Sequence, residues 1–347
     1  MYSIPIPLKL VDWINIDDIN RKVRNGLYDL FPDTISSCLS KNENAVTFLE
    51  NNKNYIEWSY LCLNPNPNIK NLLLENYRLI NWRWLVNNEN KTAIEFLEKN
   101  TDKINWDYIS ENKKAIPLIK KNLDKIDWKK LSTNPNATNI LEKNLDKIDW
   151  LLICTNTNAI NIINSNLDKI TTEAQWKLLS QNNNAIKILE NNFDKINWVY
   201  ICKNENAIHI IESNLHRLNN ESWLCLSSNH NAIKILERNK DKINWIYLSA
   251  NANAIDLIKN NLDKINPYYL SFNPNYLEIF RDNRELITSE TLKNILKNPN
   301  IFEIDYKTIK EKIKPFEEEL MQKCYHPNRL FYYLNKFKYD IGDDCYI

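Results

Sequence analysis

An all-α fold, an α-solenoid of about eleven short helix-turn-helix repeats, is what this chain predicts. Three observations carry that reading: tryptophan returns at a near-constant interval, an apolar stripe at helical spacing follows each one, and glycine is almost absent. Trp58, Trp82, Trp106, Trp128, Trp150, Trp176, Trp198, Trp223 and Trp245 are separated by 24, 24, 22, 22, 26, 22, 25 and 22 residues. A self-similar period of this length is the signature of a stacked array, in which one unit cannot bury its own apolar face.

Each unit reads as two helices. DWKKLSTNPNATNILEKNLDKI (127–148) and NWIYLSANANAIDLIKNNLDKI (244–265) are nearly the same sentence. Asp127 or Asn244 has the short side chain that caps a helix N-terminus. A very short helix A then carries Trp and, three residues on, Leu or Ile on one face. The NPN or NEN segment stops it, and Asn134 followed by Pro135 is expected to start helix B at its first position. Helix B is expected to run about nine residues, with Ala185, Ile186, Ile188 and Leu189 as an example of its buried stripe. An Asn ends it in most units (Asn100, Asn144, Asn192 and Asn239 among them), as the best non-glycine residue for a left-handed C-terminal turn. The LDKI loop turns back with Leu and Ile inward and Asp and Lys in water.

In the same frame Ser36 and Pro267 stand where Trp is expected, and a worn twelfth copy lies at ILKNPNIFEI (295–304). The expected division is an N-terminal cap over 1–35, a repeat solenoid over 36–304 and a C-terminal helical cap over 305–347. Stacked openly at the usual helix spacing, such an array extends roughly 100 Å.

Composition narrows the function. Forty-five basic residues face 44 acidic ones, a net charge of +1, which disfavours nucleic acid as the partner. With glycine only at 26 and 342, no phosphate-binding glycine loop fits between them. No run of eighteen apolar residues and no cationic leader is present, so a non-membrane, cytoplasmic protein is expected. The seven cysteines form no CxxC pair, which fits a reducing compartment. Where other units have Ser, Cys62, Cys154 and Cys202 stand four residues after Trp, which points to small buried side chains. Cys324 with His326, and the scattered His209, His216 and His230, lack the grouping that catalysis or metal binding needs. No catalytic, cofactor or metal residue is expected, and no cofactor.

The Trp series reads as core. Two residues further on, Tyr60, Trp84, Tyr108, Tyr200, Tyr247 and Tyr269 lie off the inward stripe and are the candidate partner-binding residues, since exposed aromatics anchor protein interfaces. The longer connections ITTEAQW (170–176) and LNNESW (218–223) are expected to project from one edge and flank the contact region.

The units DKINWxxLSxNxNAIxxLExN over about 36–288, and the tail YHPNRLFYYLNKFKYDIGDD (325–344), resemble the uncharacterised Asn-, Ile- and Lys-rich repeat families of Mimivirus-type giant viruses. The resemblance implies the repeat fold and a viral origin, with the host cytoplasm or the virion as location, and brings no activity. The function expected is a non-enzymatic protein-protein interaction scaffold or adaptor, for example for a host factor. A structural component of a virion or virus factory and a single-stranded nucleic-acid binder are the alternatives.

Overall fold

The computed structural model describes residues 8–24, 33–273 and 275–311, together with 314, 326, 328, 329, 332 and 336. The protein is mostly helical, and its helices are many and short. Two three-residue strands add to the helical expectation: β1 (Leu8–Leu10) and β2 (Phe302–Ile304) pair antiparallel, with Lys9 opposite Glu303. The chain divides into two compact units, Met1–Val11 with Phe302–Ile347, and Asp12–Ile301.

In the first unit a 3.1 Å ion pair joins Lys9 to Glu303 across the strands. Asp305 then caps the helix over 306–311, accepting from the Thr308 N–H and hydroxyl at 3.1 and 2.6 Å. Those bonds hold its carboxyl below the usual range.

In the second unit most repeats are built from a short helix A, a helix B and a closing turn, the last often 3-10; in repeats 6 and 8 helix A is itself a 3-10 turn, Leu152–Thr155 and Ile201–Lys203. Helix A spans Trp58–Leu61, Trp106–Ile109, Trp128–Thr133 or Trp245–Ser249 in representative repeats. Its capping residue is the one expected: the Asp127 carboxylate accepts from the N–H groups of Lys129 and Lys130, and Asn244 from Tyr247. Helix B is shorter than nine residues almost everywhere. Ile160–Ser165, Ile186–Asn191 and Ile233–Arg238 have six, and Lys91–Lys99 alone among the described helices B reaches nine. It also starts later than Pro135, at Thr138 in that repeat. The cause is the preceding Asn, whose side-chain oxygen accepts from the N–H two residues on (Asn136 to Asn134 Oδ1, 3.0 Å) and tightens the entry into a turn.

The Asn that ends helix B is not left-handed. Asn144 has φ −141° and ψ 51°, Asn239 φ −130° and ψ 51°. Its side-chain amide folds back instead and donates to the carbonyl four residues earlier, as in Asn144 to Ile140 and Asn239 to Ile235, both 2.8 Å. A carbonyl left open at the helix end is thereby satisfied, which glycine has no side chain to do. The LDK segment that follows is a 3-10 turn, for example Leu145–Lys147. Its Ile is buried, as Ile148 and Ile196 are, whereas Leu145 and Phe193 stay exposed, against the expectation that both apolar residues of LDKI point inward.

The longer connections do not project as loops. They add a turn to the start of helix A, giving Glu173–Ser180 and Asn220–Ser227. Thr172 and Gln175 form a capping box at the first, and the Gln175 amide, nearly buried, donates to the carbonyls of Trp150 and Lys169. The extra turn covers the ring behind it: Trp176 and Trp223 are buried. Trp58, Trp82, Trp106, Trp128, Trp150, Trp198 and Trp245 are only half-buried, so the core reading of the series holds in full for two of nine. Cations from the same repeat's turn cover several of the others: Lys125, Lys147 and Lys264 lie 5.2, 4.8 and 5.1 Å from the rings of Trp106, Trp128 and Trp245.

Successive repeats are joined by asparagine. In all but the twelfth repeat, the first Asn of NxN sends both amide hydrogens to two carbonyls of the preceding repeat: Asn134 to Ser110 and Asn112, Asn156 to Ser132 and Asn134, Asn251 to Ser227 and Asn229, at 2.9–3.2 Å. The second Asn adds a third bond, Asn158 to Pro135 and Asn253 to His230. The Ser four residues after Trp accepts from the next repeat's capping residue, as Ser132 does from the Asp149 N–H.

The series does not run out at its ends. Asn42, in the repeat that starts at Ser36, donates to the carbonyls of Leu296 and Asn298 at 3.1 and 2.9 Å, and Asn44 donates to Pro299 at 3.0 Å. The first repeat therefore takes the twelfth as its predecessor, and the hydrogen-bond series of this unit is circular, not open. Helix α1 (Ile16–Arg24) contributes at the same place. Asp17 accepts from the Tyr55 hydroxyl, and Arg284 donates to the Trp13 carbonyl with its guanidinium over the Trp13 ring. This helix lies between the turns that close repeats 11 and 1, where a helix B of repeat 12 belongs.

Candidate binding face on helix A

The buried side of helix A is set by its third and fourth residues after the Trp position. Leu131 and Ser132, or Leu248 and Ser249, are fully buried. At about 100° per residue, the first, second and fifth residues point the other way. Helices A of many neighbouring repeats pack directly on one another, so these three positions make one face.

All six candidate aromatics are on it, and all are half-buried. The structure brings them together in part. Tyr60 meets Trp84 edge-on at 4.8 Å, and Tyr247 meets Tyr269 at 5.7 Å. Lys41 lies 4.0 Å from the Tyr60 ring and 5.6 Å from that of Trp84, reaching across two repeat junctions. Tyr108 is not with these pairs: Lys130 stacks on it at 4.1 Å and Arg83 donates to its hydroxyl at 3.3 Å. Tyr200 is also apart, with Lys203 at 5.1 Å. Tyr268 and Phe272, which the sequence reading passed over, extend the Tyr269 cluster at 5.5 and 5.2 Å and are exposed. Their signal was available, since they occupy the first and fifth positions of the same helix.

Lys41 is also where the circular arrangement shows electrically. Burial lowers its pKa, and Lys297 of the twelfth repeat lowers it further. The opposite side differs. There, charged groups of neighbouring repeats pair, Lys70 with Glu95 at 3.0 Å, Glu212 with Arg238 at 2.7 Å and Lys259 with Glu278 at 3.1 Å, and the His209 and His230 rings lie within hydrogen-bond distance of Glu190 and Glu205. Within the turns, Asp102, Asp168, Asp194 and Asp241 pair with the lysine beside them.

Cys62, Cys154 and Cys202 are fully buried. Burial raises their thiols to about 11, about 12 and about 12, leaving them protonated at neutral pH. His326 is exposed, and Cys324 lies outside the described residues. No group of three or more His, Cys, Asp or Glu among the described residues could hold a metal. No described helix is long and apolar enough to cross a membrane.

No family model, curated protein or solved structure matches the chain.

Proposed function

We propose that this chain is a non-enzymatic protein-binding scaffold, a solenoid of twelve repeats closed on itself, and that the partner docks on the exposed face of helix A. The observation that supports it most is the recurrence of half-buried aromatics at one position of helix A in six repeats, two pairs of which, Tyr60 with Trp84 and Tyr247 with Tyr269, touch across a repeat junction. Rigid rings held by their neighbours lose little conformational entropy on binding, which is why aromatic residues dominate interface energetics. No cofactor enters the reading.

The test uses a photo-crosslinking amino acid placed at Ile246, on the helix A face, or at Lys187, on the opposite side, in the full chain in its native cell. A discrete protein adduct from position 246 and none from 187 is expected. Tyr200→Ala with Tyr247→Ala is expected to reduce that adduct at unchanged helix content. Equal labelling from both sides, or none from 246, sinks the reading.

A further inference from the structure

The first, second and fifth positions of helix A, taken around all twelve repeats, hold eight lysines or arginines and two acidic residues, Asp107 and Glu111. The whole chain has a net charge of only +1, so positive charge is concentrated here. It is concentrated again within the face. Six of the eight cations come from repeats 12, 1, 3 and 5, Lys293, Lys297, Lys41, Arg83, Lys129 and Lys130, and the two acidic residues come from repeat 4 between them, so this arc still carries the larger share of the positive charge. Lys130 is partly offset by Glu111 at 3.9 Å. Lys41, Lys129, Lys293 and Lys297 have no ion pair among the described residues. This basic arc exists because the first repeat bonds to the last; in an open array Lys41 and Lys297 would lie at opposite ends.

The first position turns mostly apolar in the other repeats: Leu151, Val199, Leu224, Ile246 and Tyr268 fill it in repeats 6 and 8 to 11, with Lys177 in repeat 7 and Lys203 at the fifth position of repeat 8. Leu151, Ile246 and Tyr268 are 40, 43 and 41% exposed, and the last two are adjacent around the face.

We infer that the occupant of this face is an acidic polypeptide segment carrying aliphatic or aromatic anchors, its carboxylates on the basic arc and its anchors on the apolar arc. The inference rests on the scaffold reading and gives the partner its chemistry. Charge complementarity selects the sign of the partner. The aliphatic side chains of the other arc, Leu151, Val199, Leu224 and Ile246, favour a polypeptide, since a nucleic-acid strand would use only the rings and the two lysines beside them.

Fluorescence anisotropy on the full chain, with three labelled probes, tests it: a peptide alternating Glu and Leu, the same peptide with Lys for Glu, and an oligothymidine. Only the Glu–Leu peptide is expected to bind, and more weakly as salt rises. Lys129→Glu with Lys297→Glu is expected to weaken it about tenfold, as is Leu151→Ser with Ile246→Ser, while Lys187→Glu on the far side leaves it unchanged. All four target side chains on the face are exposed, so folding is not at stake. Oligothymidine binding as tightly as the Glu–Leu peptide overturns the inference in favour of nucleic acid, and equal binding of both peptides overturns its charge argument. If no peptide binds while position 246 still captures a protein, the partner chemistry is wrong and the scaffold stands. Failure of both experiments removes both.

Discussion

Two junctions in the repeat unit are built from the same parts and end differently. Between repeats 4 and 5, Asn134 bridges the carbonyls of Ser110 and Asn112, and Ala137 fills the position after the NxN motif. Between repeats 11 and 12, Asn298 still accepts from the Asn300 N–H at 2.8 Å, yet it donates to neither Ser271 nor Asn273; Asn294 bonds the Ser271 hydroxyl instead, at 2.7 Å. Beside this join stands Tyr276 of repeat 11, in the position that Ala115 fills in repeat 4. Its ring is fully buried against Phe280 at 5.1 Å, and its hydroxyl has no hydrogen-bond partner of normal geometry, although the nearby Asn298 amide slightly offsets the rise in pKa that burial causes. A cavity of about 490 Å³, lined by Tyr276, Asn294, Asn298, Glu43 and others, marks the spread. The Asn bridge persists beside Ala and, in repeat 2, beside Ile69; the loosened join is the one that follows the bulky Tyr276.

The comparison can be broken most forcefully at an intact junction. Asn156→Ala removes two buried donors, strands the carbonyl of Ser132 and leaves that of Asn134 with the Ala137 N–H alone; it is expected to cost about 2–4 kcal/mol in urea unfolding. Asn298→Ala, lacking those bonds from the start, is expected to cost about 1 kcal/mol. Equal losses would mean that the two junctions are energetically alike.

Tyr276→Phe keeps the ring and removes the unpaired hydroxyl, so a gain of about 1 kcal/mol is expected in the same measurement. Hydrogen exchange sharpens the picture: the N–H groups of Asn298 and Asn273 are expected to exchange faster than those of Asn134 and Asn112, following the weaker local packing. The smallest effect belongs to the outer ion pairs. Glu212→Gln breaks an exposed pair with Arg238 and is expected to cost about 0.5 kcal/mol or less.

Much of this was legible beforehand. The tryptophan interval located the repeats, the residue before Trp named the cap, and the Ser/Cys exchange gave small buried side chains, all because each depends on contacts within one unit. What stayed hidden depends on relations between units. NxN reads as a helix stop, and nothing in its letters says that Asn134 turns its oxygen toward its own chain and its amide toward the previous repeat. The aromatics at the second position were visible, but not that Tyr60 meets Trp84 while Tyr108 is held by Lys130 and Arg83. Likewise, Trp suggests a core, yet a helix of four residues is too short to cover an indole, and only the repeats with an added turn bury it. The circular arrangement was least legible, since it depends on the small rotation per repeat summed over twelve.

That arrangement has a mechanical consequence. Linear arrays fray, because a terminal unit has one neighbour to lose and melts first. Here Asn42 gives the opening repeat a partner on both flanks, so unzipping has no natural starting point except the loosened join beside Tyr276. New termini cut into any intact turn, with the old ones linked, would convert that join from an interior weakness into the place where heat first enters.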